Sequence, residues 1–182
     1  MTDPPTFPAL DDLAPEAFAA AVAPLFEGAP CFLDRLAADR PFGGVSSLFA
    51  RARSIAQTMP EPEQLELIDA HPRLGAPPGS VSALSFVEQG YDLEAADVAA
   101  EAERAHVAAE LARLNAEYEA RFGFRYCVFV AGRPRAALLP GFEATLTADR
   151  AGELHRALDA VVDIAADRYA KLTTRAAEGV IR

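Results

Sequence analysis

The chain has 182 residues, with 17 Lys and Arg against 27 Asp and Glu, a formal net charge of −10 and a pI near 4.7. That balance argues against a nucleic-acid partner, because no basic field exists to release counterions from phosphates, and there is no polybasic segment for anionic lipid. With 51% hydrophobic and 24% charged residues, the composition is that of a soluble globular protein long enough to bury a core.

No apolar run approaches the roughly 20 residues needed to span a bilayer. Met1 to Pro5 carry neither the positive charge nor the apolar stretch of a signal peptide. Two distant cysteines, Cys31 and Cys127, fit a reduced cytoplasmic setting in which each is a small buried hydrophobe. The expectation is one domain over residues 1–182, with 1–14 and 174–182 peripheral.

Met1 to Phe7 are proline-rich and read as irregular. From Pro15, a good first-turn residue, Phe18, Val22, Leu25 and Phe26 recur at helical spacing until Gly28 and Pro30. A second helix is expected around Phe32, Leu33 and Leu36, closed by Arg40 to Gly44. Val45, Leu48, Phe49, Ala52, Ile55, Ala56 and Met59 then make one apolar stripe. Pro60 and Pro62 separate it from a helix carrying Leu65, Leu67 and Ile68. That helix must stop near Ala70, because Pro72 disfavours the α conformation at His71.

After the loop Ala76 to Ser80, a turn of helix should begin near Ser82 or Ser85. The longest helical pattern follows, through Val107, Leu111, Leu114, Tyr118 and Phe122, with Gly123 as its expected C-cap. Phe124 to Val130 is aromatic and β-branched, an extended segment without an evident partner strand. Its backbone groups must find other partners or remain for a ligand. Leu138, Leu139, Phe142 and Leu146 form the next stripe, which Pro140 should shorten or kink. The last helix carries Leu154, Leu158, Val161, Ala165, Tyr169 and Leu172. The fold class is all-α: a compact bundle of about seven to nine helices with one short extended segment near 125–130.

Chemistry centres on His71 to Gln89. A lone histidine is structural by default, but His71 lies just past a helix end and is pinned by Pro72, where an imidazole can exchange a proton at neutral pH. Glu88 has a structural alternative: Ser85-x-x-Glu88 fits a capping box, in which the carboxylate merely starts a helix. His106 and His155 read as solvated. No metal-ligand spacing, phosphate loop or dinucleotide fingerprint is present, so neither metal nor cofactor is expected.

His71-Pro72-Arg73-Leu74-Gly75, Ser85-x-x-Glu88-Gln89 and Leu114-Asn115-x-x-Tyr118-Glu119-x-Arg121-Phe122-Gly123-Phe124 together resemble the signature of the OHCU decarboxylases. OHCU is 2-oxo-4-hydroxy-4-carboxy-5-ureidoimidazoline. Leu25-Phe26-Glu27, Arg40-Pro41-Phe42, Glu153-Leu154 and Ile164-Ala165-x-x-Arg168-Tyr169 extend the likeness over residues 15–172.

The resemblance implies an all-helical, cofactor-free homodimer that converts OHCU to (S)-allantoin in urate degradation. By the same likeness His71 would be the catalytic acid and Glu88 its partner. Pro72, Ser85, Phe86, Val87 and Gln89 would line the substrate. The backbone of Tyr126, Cys127, Val128, Phe129 and Val130 would hydrogen-bond it.

One departure stands out. The family's Arg-Leu-x-Asn-Asp stretch reads Thr145-Leu146-Thr147-Ala148-Asp149 here, and neutral Thr145 cannot make a bidentate contact to a substrate carboxylate. Arg73 or Arg150 could compensate. The alternative is a divergent homologue with a changed substrate or a binding-only role.

Overall fold

A computed structural model describes residues 9–91 and 98–180, and the expectation for Met1 to Phe7 lies outside them. The chain divides into two compact units, one of residues up to Ala70 and from Leu158 onward, the other from His71 to Ala157. Among the described residues there are nine α-helices and no strand. None of these helices is long and apolar enough to cross a membrane.

The first unit contains α1 (Ala9–Asp12), α2 (Pro15–Val22), a 3₁₀ turn (Ala23–Phe26), α3 (Pro30–Ala38), α4 (Val45–Thr58) and α5 (Glu61–Asp69). Prolines open α2 and α3, where the missing N–H costs nothing. Leu48, Ala52 and Ala56 are wholly buried, as the period of α4 requires. Buried Gln64 donates to the carbonyls of Ala56 and Gln57 at 3.0 and 3.1 Å, satisfying acceptors that the end of α4 leaves unpaired. Cys31 is half-buried rather than buried, and its amide donates to Glu66 Oε1. Among the described residues the longest helix is α9 (Arg150–Val180), ahead of the one through Val107. Its part from Leu158 onward belongs to this unit, where Arg168 pairs with Glu27 at 2.8 Å.

The second unit holds the loop after His71, α6 (Ala83–Glu88), α7 (Val98–Phe122), α8 (Arg135–Thr145) and the start of α9. Gly123 ends α7 at φ +81°, with its amide on Glu119 O at 2.9 Å, the expected left-handed cap. Tyr118 is the centre of an aromatic cluster, with ring centroids of Phe122, Phe124, Tyr126 and Phe142 between 4.5 and 5.8 Å away. Tyr126 stacks on Phe142 at 3.6 Å.

One local expectation fails in part, the shortening of the helix at Pro140, and one fails outright. Pro140 does not shorten α8, which runs on to Thr145: Leu138 and Phe142 are buried on either side, while Pro140 itself faces solvent. Burial of the two offsets the single lost hydrogen bond. The capping box at Ser85 does not form either. Ser82 is the N-cap of α6 and its hydroxyl accepts from the Ser85 amide at 3.2 Å, so Glu88 closes the helix instead of starting it.

Candidate active site

All the residues singled out as catalytic or substrate-lining fall in the second unit. His71 follows the Ala70 C-cap of α5 and is 4% exposed. Its carbonyl accepts from Arg125 Nη1 at 3.0 Å. Pro72 is half-buried. Ser85 is buried, Phe86 and Glu88 are half-buried, and Val87 at 43% is the most exposed large hydrophobic side chain described. Phe86 packs on Tyr91 with centroids 5.4 Å apart.

Glu88 lines a cavity of about 340 Å³ together with Val87, Gln89, Arg104, Arg133 and Arg135. That volume suits a small ligand. Three arginines and two carboxylates, Glu88 and Glu103, line it, so the recess holds one more cation than anion in an acidic protein. His71 is not among the residues lining it. The two proposed proton carriers therefore share a unit, but this cavity exposes only one of them.

Gln89 is buried and points its amide at the loop: Oε1 accepts from Gly75 N at 2.8 Å and Nε2 donates to Arg73 O at 3.3 Å. The segment from Tyr126 to Val130 has no ladder partner, as expected, yet arginines claim several of its carbonyls. Arg156 Nη1 donates to Cys127 O at 2.8 Å; Arg133 donates to Phe129 O at 2.6 Å and Val130 O at 2.9 Å. Tyr126 and Cys127 are buried and Val128 and Phe129 half-buried.

Arg156 sits on Glu153, which also accepts from Tyr118 at 2.8 Å. Burial, then the hydrogen bond to Glu153, pushes the Tyr118 hydroxyl well above the ordinary tyrosine range. Burial opposes the Arg156 charge, but the Glu153 carboxylate outweighs it and keeps the guanidinium more basic than usual.

The arginines near the site were not among the sequence candidates, although Arg133-Pro134-Arg135 directly after the extended segment was a readable signal. Arg73 and Arg150, considered as substitutes for the family arginine, are both engaged. Arg73 forms a fork on Glu119 at 2.5 and 2.7 Å, and Arg150 Nε donates to Phe122 O at 2.9 Å. Thr145 donates its hydroxyl to Phe142 O at 2.6 Å, within its own helix. His106 and His155 are exposed. Among the described residues, no group of three or more His, Cys, Asp or Glu could hold a metal ion.

The OHCU decarboxylase family model matches residues 11–170. The chain belongs to the OHCU decarboxylase family. It is 30% identical over 154 residues to the uric acid degradation bifunctional protein PucL of Bacillus subtilis (strain 168), covering 85% of this chain but 30% of that protein. The chain thus spans under a third of the length of its bifunctional relatives. A 2-oxo-4-hydroxy-4-carboxy-5-ureidoimidazoline decarboxylase of Haloferax volcanii is 27% identical over 162 residues, covering 89% of this chain and 90% of that one. In fold it is similar to an OHCU decarboxylase crystallised in the presence of (S)-allantoin, with a TM-score of 0.62 at 24% identity over 81% of this chain and 93% of that chain.

Proposed function

We propose that this family member decarboxylates OHCU to (S)-allantoin without a cofactor, with His71 and Glu88 as its proton-transfer pair. The observation that carries the reading is the family match across residues 11–170, with the His71-Pro72 and Glu88 positions inside it. The match also crosses both compact units, which favours treating them as one family domain. A homodimer in the cytoplasm is part of the same reading.

The substrate brings its own electron sink. As the bond to the carboxylate breaks, its electron pair moves toward the adjacent C=N and carbon dioxide leaves. The hydroxyl must then give up its proton as a carbonyl forms and a proton must reach one face of the neighbouring ring carbon, while the ring nitrogen that received the electron pair takes a third proton from solvent. Glu88 takes the first proton and His71 delivers the second; each such transfer is worth ~10²–10⁴ in rate. Delivery from one face sets the (S) product. Pro72, Ser85, Phe86 and Val87 bound the ring, and Arg135 of the Glu88 cavity holds the carboxylate in place of the missing family arginine.

The test is a chirality-resolved assay on freshly oxidised urate. Purified protein should accelerate formation of optically active (S)-allantoin, His71→Asn should abolish the acceleration, and Glu88→Gln should cut it ~10²-fold or more. Racemic allantoin appearing at the spontaneous rate overturns the reading. Thr145, with its hydroxyl turned onto Phe142 O, favours a second reading: a homologue with an altered substrate. Ordinary OHCU turnover by the unaltered chain eliminates it.

A further inference from the structure

His71 is followed by a tight turn whose central peptide is held from both sides. Ala76 N donates to Arg73 O at 3.0 Å, and Gly75 at the third position has φ +80°, as a type II turn requires. The peptide between Leu74 and Gly75 projects its carbonyl one way and its N–H the other. Asn115, 6% exposed on α7, donates Nδ2 to Leu74 O at 2.9 Å. Gln89, the C-cap of α6, accepts from Gly75 N at 2.8 Å and donates to Arg73 O at 3.3 Å.

A type II turn differs from type I by rotation of this central peptide through roughly half a turn. Either amide alone would bias that rotation. Together they grip both ends of one peptide, and its reversal would leave a buried amide on each side without its partner. Arg125 on His71 O and Tyr91 Oη on Ala76 O fasten the two ends of the same loop. The Asn115 Nδ2 also donates to Leu111 O at 2.7 Å, which fixes the amide orientation.

We propose that Asn115 and Gln89 are positioning residues that act on His71 through this turn. Asn115 then explains a polar residue in the buried stripe of α7, and Gln89 couples the helix carrying Glu88 to the loop carrying His71. The kinetic part of the inference rests on the proposed function; the spectroscopic part does not.

The test uses Asn115→Leu and Gln89→Met, both of similar size and unable to make these bonds. Three histidines are present, two of them exposed, so the His71 imidazole can be followed by NMR titration in the unaltered chain and in each variant. The expected result is a shifted His71 titration midpoint in both variants, kcat reduced ~10-fold or more, and, in Asn115→Leu, allantoin affinity within about twofold of the parent. An unchanged His71 titration with unchanged kcat overturns the proposal, whatever happens to the Tm. Loss of allantoin affinity in Gln89→Met with His71 unmoved overturns it in favour of direct ligation. If Asn115→Leu fails to fold, Gln89→Met alone decides. If the parent lacks turnover, the proposed function fails while the His71 titration still tests the turn.

Discussion

At the scale of single residues, charge decides how the proposed substrate can be held. OHCU carries a carboxylate and allantoin does not, so an anchoring cation should distinguish them. Three arginines line the Glu88 cavity, and each has contacts of its own. Arg133 spends Nε and Nη2 on the carbonyls of Val130 and Phe129, and Arg104 pairs with Glu101 at 2.5 Å. Arg135 lies over the Tyr91 ring at 4.3 Å, a contact that orients its guanidinium. On the proposed reading, in which Arg135 holds the substrate carboxylate, Arg135→Gln should raise the KM for OHCU ~10–100-fold, the value of one charge-assisted hydrogen bond. Its affinity for allantoin, measured by calorimetry, should stay unchanged. Equal effects on both ligands would mean that Arg135 shapes the cavity rather than reads charge. The sequence showed the missing charge at Thr145 directly. Which arginines reach one cavity depends on packing, which no spacing rule encodes.

At the scale of elements, pattern and structure agree where local chemistry is decisive and part where packing is. Gly123 closes α7 because a left-handed residue is needed there, and Pro72 stops α5 because of a clash with its neighbour. Ser82 against Ser85 as the cap of α6 was a choice between two acceptable signals, and position in the fold settled it. The α7–α9 contact adds a titratable test. Tyr118 donates to Glu153, and burial raises its hydroxyl above the ordinary tyrosine range; burial raises Tyr126 and Tyr91 in the same direction. A neutral group whose folded pKa is raised gives stability that is complete below its unfolded pKa and is lost as pH rises above it. Denaturant midpoints should thus hold steady up to about pH 10 and fall beyond it. In Tyr118→Phe that alkaline fall should be shallower, although the midpoint at neutral pH drops with the lost Glu153 hydrogen bond. An identical alkaline slope in both proteins would remove Tyr118 from the account.

At the scale of the whole molecule, one buried cation ties distant parts of the chain. Arg168 on α9 is 2% exposed, pairs with Glu27 and donates to the carbonyls of Pro24 and Leu25 at 3.1 and 3.3 Å. Removing one partner of a buried pair leaves the other charge uncompensated, at about 3–5 kcal/mol. Arg168→Met should lower stability by that amount in equilibrium unfolding, a large share of the ~5–15 kcal/mol typical of a domain. A change below about 1 kcal/mol would show that Glu27 finds solvent easily. The motif residues Glu27 and Arg168 were visible in the sequence, but their pairing across 141 positions was not.

The sequence by itself determined the all-helical class, most helix limits, the candidate stretch from His71 to Gln89 and the absence of an arginine at position 145. Those features follow from short-range causes: apolar period, proline and glycine backbone limits, and residue identity at a motif position. Only the tertiary structure decided that Glu88 ends α6, that Pro140 is absorbed within α8, and that Asn115 and Gln89 grip the turn after His71. Their bonds join residues 14 to 41 positions apart. Such bonds are set by where buried backbone groups must find partners once helices have packed, and that demand has no signature in the spacing of the chain.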